Sequence, residues 1–145
     1  MASWVQSSVN SPLPPNAFFA GQDGDGAEMF VGRAIFESEI LPVKIVPRRR
    51  EAYVTCEGGE YLVKRYEVLV GENYDWVASG DGLVPQNAIS TGKDGKGQPI
   101  YVGRAVYKDT VTVGKVQPVR GCLILGYNGD EIEMEAYEVL VVKSP

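Results

Sequence analysis

Hydrophobic and polar side chains alternate with a period of two along much of the chain. The clearest stretch is the run EIEMEA at residues 131–136, where every second residue is acidic. A strand with this pattern has one wet face and one dry face, whereas a helix would scatter the three acids around its circumference. Val68 and Val70 add β-branched residues at alternating positions, as do Val139 and Val141. The pattern therefore predicts β-strands.

The sequence also repeats itself with an offset of 71 residues. Residues 14–70 and 85–141 share 21 identities in 57 aligned positions without a gap, and the runs VGRA and YEVLV occur once in each copy. Trp4 returns as Trp76, an offset of 72, so one residue was gained or lost before Pro85. The chain is a tandem duplication, and we place its repeats at residues 1–72 and 73–145. Because a unit of about 70 residues buries little core alone, we expect both repeats to pack into one compact unit related by a pseudo-two-fold axis.

Gly and Pro, with 17 and nine residues, punctuate the apolar runs. Since both residue types interrupt long elements, the strands must be short and helical bundles are disfavoured. We predict an all-β fold of two tandem pseudo-symmetric repeats of short antiparallel strands. The predicted strands of the first repeat lie at about 29–36, 43–46, 52–56 and 61–70, with copies 71 residues on.

The amino-acid composition and net charge exclude several classes of function. The chain has 145 residues, 19 acidic and 14 basic side chains, a net charge of -5 and no His. The lack of His excludes His-dependent triads, His metal ligands and a histidine pH switch, which disfavours most hydrolase mechanisms. The negative charge disfavours nucleic acid and anionic membranes as partners. We therefore expect a protein that is not an enzyme, needs no cofactor or metal, and binds no nucleic acid.

The start of the chain has no basic region followed by an apolar run of signal-peptide length, and no later window approaches a membrane span. We expect a soluble, cytoplasmic protein that does not insert into membranes and whose release would use no signal peptide. Cys56 and Cys122 are too few for a disulfide framework and too far apart for a CxxC motif. Free, mostly buried thiols are expected.

Two residue types persist at equivalent positions whose neighbours change between the repeats. Asp23 and Asp94 are retained in Gly-rich turns, and Lys44 and Lys115 are retained between divergent neighbours. An Asp only accepts hydrogen bonds and a Lys only donates them, so the two together can clamp neighbouring hydroxyls of a sugar. The same Asp residues could instead do no more than form an Asx turn, and both interpretations remain open at this point.

Other motifs give weaker signals. The run DGDG at 23–26 resembles part of a calcium loop, but the second copy replaces Asp25 with Lys. The run GKDGKG at 92–97 lacks the ending of a phosphate loop. Arg48-Arg49-Arg50 is best interpreted as a solvated strand end. The retained Glu67 and its copy could serve glycoside chemistry, but the retained Arg33 and its copy offer equally simple ion-pair partners.

These motifs in combination resemble the tandem DM-nine repeat family, which includes mannose-specific lectins. The resemblance rests on NAxxAG at 16–21 and its near variant at 87–92, then F/YVGRA, an isolated Lys and a terminal YEVLV. It implies calcium-independent binding of D-mannose and mannose-rich glycans on microbial surfaces. It further implies a homodimer and a role in innate immune recognition and agglutination. The alternative is a non-catalytic protein-interaction module of an immune or stress response.

The resemblance also implies which side chains hold the sugar. They correspond to Asp23 and Lys44, with Glu39 as a lesser contributor, and to Asp94 and Lys115 in the second repeat. Thr110 stands where the first repeat has Glu39. On that difference, a weaker or differently selective second site is expected.

Overall fold

The computed structural model describes residues 1–143 and, within them, contains fourteen β-strands and two short 3₁₀ helices. It confirms the predicted all-β fold of short antiparallel strands. The strands are β1 (Ser3–Ser8), β2 (Phe19–Gln22), β3 (Glu28–Phe36), β4 (Glu39–Val46), β5 (Glu51–Cys56), β6 (Gly59–Leu62), β7 (Arg65–Val70), β8 (Tyr74–Gly80), β9 (Ser90–Lys93), β10 (Pro99–Tyr107), β11 (Thr110–Gln117), β12 (Cys122–Tyr127), β13 (Asp130–Met134) and β14 (Ala136–Val142). The 3₁₀ helices span Pro47–Arg49 and Pro118–Arg120.

The strand predicted at 61–70 is wrong as a single element, because the chain breaks after Leu62 and resumes at Arg65. The two pieces have different neighbours: β6 pairs with β5 and β13, whereas β7 pairs with β1 and β3. At the break, the Val63 N–H still donates to the Ala52 carbonyl at 2.9 Å before the chain turns away. A continuous apolar run does not reveal such a change of partner.

The strands are hydrogen-bonded in the order β1-β7-β3-β4-β5-β6-β13-β12-β11-β10-β14-β8. The two repeats join where Gly59 of β6 faces Asp130 of β13, and again where Gln22 of β2 faces Val111 of β11. Across residues 1–143 no helix is long and apolar enough to cross a membrane.

One buried cluster contains residues of both repeats. It contains Val31 and Leu69 of the first repeat together with their equivalents Val102 and Leu140, all with no exposed surface. Burying four such side chains contributes roughly 6 to 12 kcal/mol to folding, at about 1.5 to 3 kcal/mol each. The two repeats therefore rely on one another for part of their core.

The retained Arg and Glu residues form a scaffold. Arg33 Nε lies 2.7 Å from Glu67 Oε1, and its guanidinium lies 4.4 Å from the centre of the Trp4 ring. The second repeat builds the same stack from Arg104, Glu138 and Trp76. These contacts confirm the ion-pair interpretation of both retained Glu residues, with Trp as an additional partner.

Close approach of the repeats depends on Gly21. A Cβ placed on this residue would lie 2.2 Å from the backbone oxygen of Val111 in the other repeat. Only a residue without a side chain allows β2 to meet β11 at this distance. The glycine is retained as Gly92, where a Cβ would lie 3.2 Å from Ile40 of the first repeat.

We predict that Gly21→Ala lowers the free energy of unfolding by about 2 kcal/mol or more, because the new methyl group must push two backbones apart. Urea denaturation followed by tryptophan fluorescence measures the change. The control is Gly95→Ala, where the added Cβ has its nearest neighbour at 4.0 Å. Equal stability of the two variants would contradict this account of the contact between repeats.

Candidate functional site

Asp23 and Lys44 line one open cleft, of about 410 Å³, which we call the first cleft. Asp23 lies in the turn between β2 and β3, and Lys44 lies on β4. Asp109 and Tyr127 of the second repeat form the opposite wall. The structure thus brings this predicted pair to a common surface to which both repeats contribute.

Asp94 and Lys115 line the equivalent second cleft, of about 430 Å³. Glu37 and Glu39 of the first repeat form its opposite wall. Glu39 was expected beside Lys44, but the structure places it here instead. Each cleft therefore takes its Asp and Lys from one repeat and its opposite wall from the other.

The exchange of walls follows from how the turns cross between repeats. The Asp23 turn reaches the start of β11, where the Thr110 hydroxyl donates to Asp23 Oδ1 at 2.8 Å. In the mirror contact, the Gly95 N–H donates to Glu39 Oε2 at 2.9 Å at the start of β4. Thr110 and Glu39 are equivalent residues, so each one fixes the turn of the other repeat.

In the first cleft both charges are already paired, but not with each other. Lys44 Nζ lies 2.7 Å from Glu60 Oε2 and donates to the Gly126 carbonyl at 3.2 Å. It also lies 5.2 Å from the centre of the Tyr53 ring. Asp23 forms a short ion pair with Arg49. Asp23 and Lys44 therefore line the same cleft but have separate partners.

In the second cleft the Lys is unpaired. Lys115 is 5% exposed, and its ammonium forms no hydrogen bond or ion pair with any residue in the described part of the chain. Backbone N–H groups of Gln98 and Lys96 lower the pKa of Asp94, and the positive charges of Lys96 and Lys115 lower it further. A buried cation and an ionised carboxylate thus line one open surface.

The Asx-turn interpretation holds for the second repeat and fails for the Asp23 side chain. Asp94 Oδ1 accepts from the N–H groups of Lys96 at 2.8 Å and Gln98 at 2.9 Å. In the first repeat Asp25 takes this role, with the Ala27 N–H at 3.0 Å. The Ala27 N–H and then Arg49 lower the pKa of Asp25 to about 2. The Asp23 carboxylate is therefore not used by the turn, and it contacts Arg49 and Thr110 instead.

The residue beside the Glu60 carboxylate differs between the repeats. A Cβ on Gly126 would lie 2.5 Å from Glu60 Oε2, so the Glu60 carboxylate occupies the space that a side chain would need. The residue equivalent to Gly126 in the first repeat is Thr55, which carries a side chain. Glu131 lies against Arg120 instead, at 3.4 Å, and one of its oxygens is buried without a hydrogen bond.

Sequence reasoning missed two functional neighbours that it could have found. Glu60 and Arg49 are retained at the 71-residue offset as Glu131 and Arg120, and both first-repeat residues line the first cleft. The interpretation of Arg48-Arg49-Arg50 as a solvated strand end is wrong for Arg49, since this residue pairs with Asp23 and Asp25.

The structure bears on the expected state of the two cysteines. Both thiols are free and buried, as expected, and Cys56 lines the second cleft. Burial raises the pKa of Cys56, so its thiol stays protonated at neutral pH. Within residues 1–143, no group of three or more His, Cys, Asp or Glu side chains is placed to hold a metal ion.

Comparisons with known proteins assign the chain to a family. A sequence model described as the DM9 repeat matches residues 23–134, which is most of the chain. This chain belongs to the DM9 repeat family. The matched region contains both turns, both Lys residues and both clefts, so the DM9 repeats carry the whole candidate site.

Curated relatives of this DM9 protein include natterin-1 and natterin-3 of Thalassophryne nattereri. Natterin-1 is 36% identical over 85 residues, covering 57% of this chain and 21% of the relative. Natterin-3 is 35% identical over 92 residues, covering 63% of this chain and 22% of the relative. The matched parts of the chain therefore correspond to about a fifth of the length of these relatives.

A solved structure shares the fold. The crystal structure of the nematode sperm cell motility protein MFP2B aligns with all of this chain and with 47% of its own, at a TM-score of 0.75. Its sequence identity of 15% limits the likeness to the fold. The architecture of the DM9 protein thus recurs in a larger chain.

We predict opposite stability effects for the two equivalent Lys residues. Lys44→Met should lower the free energy of unfolding by about 3 kcal/mol, because it leaves the nearly buried Glu60 carboxylate without its cation. Lys115→Met should leave stability unchanged or raise it, since it removes a buried charge that has no partner. Urea denaturation of both variants measures the difference. Equal losses would contradict the unpaired state of Lys115.

Proposed function

We propose that this DM9 protein is a calcium-independent lectin that binds D-mannose and mannose-rich glycans in its two clefts, and that it is not an enzyme. The observation that carries the proposal is the Lys115 side chain, which is buried and unpaired beside an ionised Asp94 in an open cleft. This arrangement leaves a strong donor and a strong acceptor available to a ligand.

A sugar satisfies both groups at once. Burying an ammonium without a partner costs free energy, and a hydroxyl oxygen that accepts from Lys115 Nζ recovers part of that cost. The neighbouring hydroxyl can donate to Asp94, whose Oδ2 has no hydrogen-bond partner within residues 1–143. Glu39 on the opposite wall offers a further acceptor. Two adjacent hydroxyls with matching orientation therefore fit this chemistry better than an isolated one.

The first cleft has fewer unused hydrogen-bond donors and acceptors to offer a sugar. An ammonium has three donors, and Lys44 already directs two of them to Glu60 and the Gly126 carbonyl. Both oxygens of Asp23 already accept, one from Arg49 and one from Thr110. We therefore propose that the second cleft binds mannose more tightly. This ranking reverses the sequence-based expectation, because Glu39 lies in the second cleft.

Repetition would make weak binding useful. A single hexose in an open polar site should bind with a dissociation constant between millimolar and micromolar, roughly 4 to 8 kcal/mol. Two clefts per chain, doubled in the homodimer that the resemblance implies, could raise avidity by about 10²-fold on a branched glycan. Innate recognition and agglutination of microbes bearing mannose-rich glycans are the corresponding roles. A cytoplasmic location with release by a route that needs no signal peptide belongs to the same proposal.

Mannoside titration tests the proposal. We predict that methyl α-mannoside binds the wild-type protein in isothermal titration calorimetry and that EDTA leaves the affinity unchanged. Lys115→Met should weaken binding at least about tenfold, because it removes a charge-assisted hydrogen bond. Asp94→Asn should have a similar effect while its amide oxygen can still accept the bonds of the turn.

The matched control is Lys93→Met, which removes the same charge from an exposed position on the neighbouring strand β9. It should keep wild-type affinity. Loss of binding in EDTA would contradict the metal-free mechanism. A protein partner captured equally well with and without free mannose, together with no mannoside binding, would favour the alternative of a protein-interaction module.

A further inference from the structure

A third cavity, of about 320 Å³, lies beneath the segment that joins β1 to β2 in the first repeat. We call residues 9–13 of this segment the strap. The cavity shares no lining residue with either cleft in the described part of the chain. Its walls combine apolar side chains such as Leu13, Ile45 and Pro47 with the polar groups of Tyr66 and Arg50.

The second repeat closes the equivalent position. There the Leu83 N–H donates to the Gly80 carbonyl at 2.9 Å, and the two central residues, Asp81 and Gly82, have φ angles of 54° and 82°. This left-handed turn directs the Leu83 carbonyl to the Tyr137 hydroxyl, which donates to it at 2.9 Å. The segment therefore satisfies the tyrosine beneath it.

Tight glycine packing completes the closure in the second repeat. A Cβ on Gly82 would lie 2.7 Å from the Cα of Gly121 and 3.0 Å from the Pro118 carbonyl oxygen. Such contact is possible only because both facing residues are glycines.

The first repeat cannot close in this way. The Ser11 N–H donates to the Ser8 carbonyl at 3.1 Å, but Val9 and Asn10 occupy the centre of the turn and neither has a positive φ. A β-branched residue disfavours the left-handed conformation that the second repeat uses. Arg50 stands where the second repeat has Gly121, and Asn10 where it has Gly82.

One extra residue moves the strap further away. Hydrogen bonds of the turns align Ser11 with Leu83 at an offset of 72, whereas Pro14 and Pro85 align at 71. The extra residue therefore lies at Pro12 or Leu13, directly after the turn. The strap accordingly stands off the sheet, and the cavity forms beneath it.

Tyr66 lines this cavity, and its hydroxyl lacks the partner that the Tyr137 hydroxyl has. It is 6% exposed, and its hydroxyl has no hydrogen-bond partner within residues 1–143. The side-chain atoms in this range that are both sealed from solvent and unpaired belong to Thr112 and Glu131. The Tyr66 oxygen is thus reached from the cavity that the residue lines.

We propose that this cavity is a further binding site, for a small monocarboxylate with a short apolar body. Its carboxylate would accept from the Tyr66 hydroxyl within the field of Arg50, which has no ion-pair partner in the described chain. Its apolar body would cover Leu13 and Ile45. The Glu51 carboxylate on the same wall accepts from the Tyr53 hydroxyl at 2.5 Å. Its charge disfavours a second negative charge on the ligand.

Saturation-transfer NMR with the whole protein tests the site, using hexanoate and phenylacetate as probes and hexanamide and phenylacetamide as neutral counterparts. At least one acid should bind, and its amide should bind about tenfold more weakly. Binding of only hexanoate or only phenylacetate would support the proposal and assign an aliphatic or aromatic body. No binding by either acid, or equal binding of acids and amides, would overturn it.

Variants separate this site from its surroundings. Tyr66→Phe and Arg50→Gln should each weaken acid binding about tenfold. Tyr137→Phe is the matched control and should keep wild-type affinity while lowering Tm, because the Tyr137 hydroxyl donates to the Leu83 carbonyl. Lys115→Met should leave acid binding intact.

Unchanged affinity in Tyr66→Phe would overturn the proposal. Should this variant not fold, probe-induced shifts of the Leu13 and Ile45 methyl signals of the wild type decide, and their absence overturns the proposal.

Discussion

The contact of β2 with β11, and its mirror between β9 and β4, is the constraint on which the rest of the molecule depends. At these crossings a turn of one repeat meets the strand start of the other, through Gln22 and Val111 on one side and through Thr91 and Ile40 on the other. The clefts lie where the turns cross, so neither repeat contains a complete cleft by itself. Folding of the duplicated chain and assembly of its candidate sites are thus one event.

Duplication gives two clefts that are each lined by an equivalent Asp and Lys. The ion pairs around these residues differ between the clefts. Gly126 leaves room for the Glu60 carboxylate and so allows Lys44 to be neutralised. The residue equivalent to Gly126 in the first repeat is Thr55, and Lys115 stays unpaired within the described residues. Gly126 is absent from the lining of the first cleft and Thr55 from that of the second, within the described residues. A comparison restricted to the retained Asp and Lys residues therefore misses what distinguishes the two sites.

The 71-residue repeat and the period of two were sufficient to predict the all-β fold and the Asp and Lys that share each cleft. They were not sufficient to assign Glu39, since an alignment of repeats pairs equivalent positions and contains no information about which repeat a side chain faces. The division of 61–70 into two strands escaped for a related reason: both pieces are apolar, and only their partners differ. Pairing across repeats is a three-dimensional property that local periodicity does not encode.

The cost of an unpaired ammonium bears on how the second cleft should be interpreted. Its desolvation opposes folding. Glu131, the equivalent of Glu60, lies two strands away on β13, where it pairs with Arg120. Tyr66 presents a milder case, because the second repeat shows that a shorter segment and a glycine pair satisfy the same hydroxyl. In both places the polar group has a partner in one repeat, whereas its equivalent has none within the described residues of the other. Both polar groups face an open cavity while their copies have partners, and these are the positions at which we propose that ligands bind.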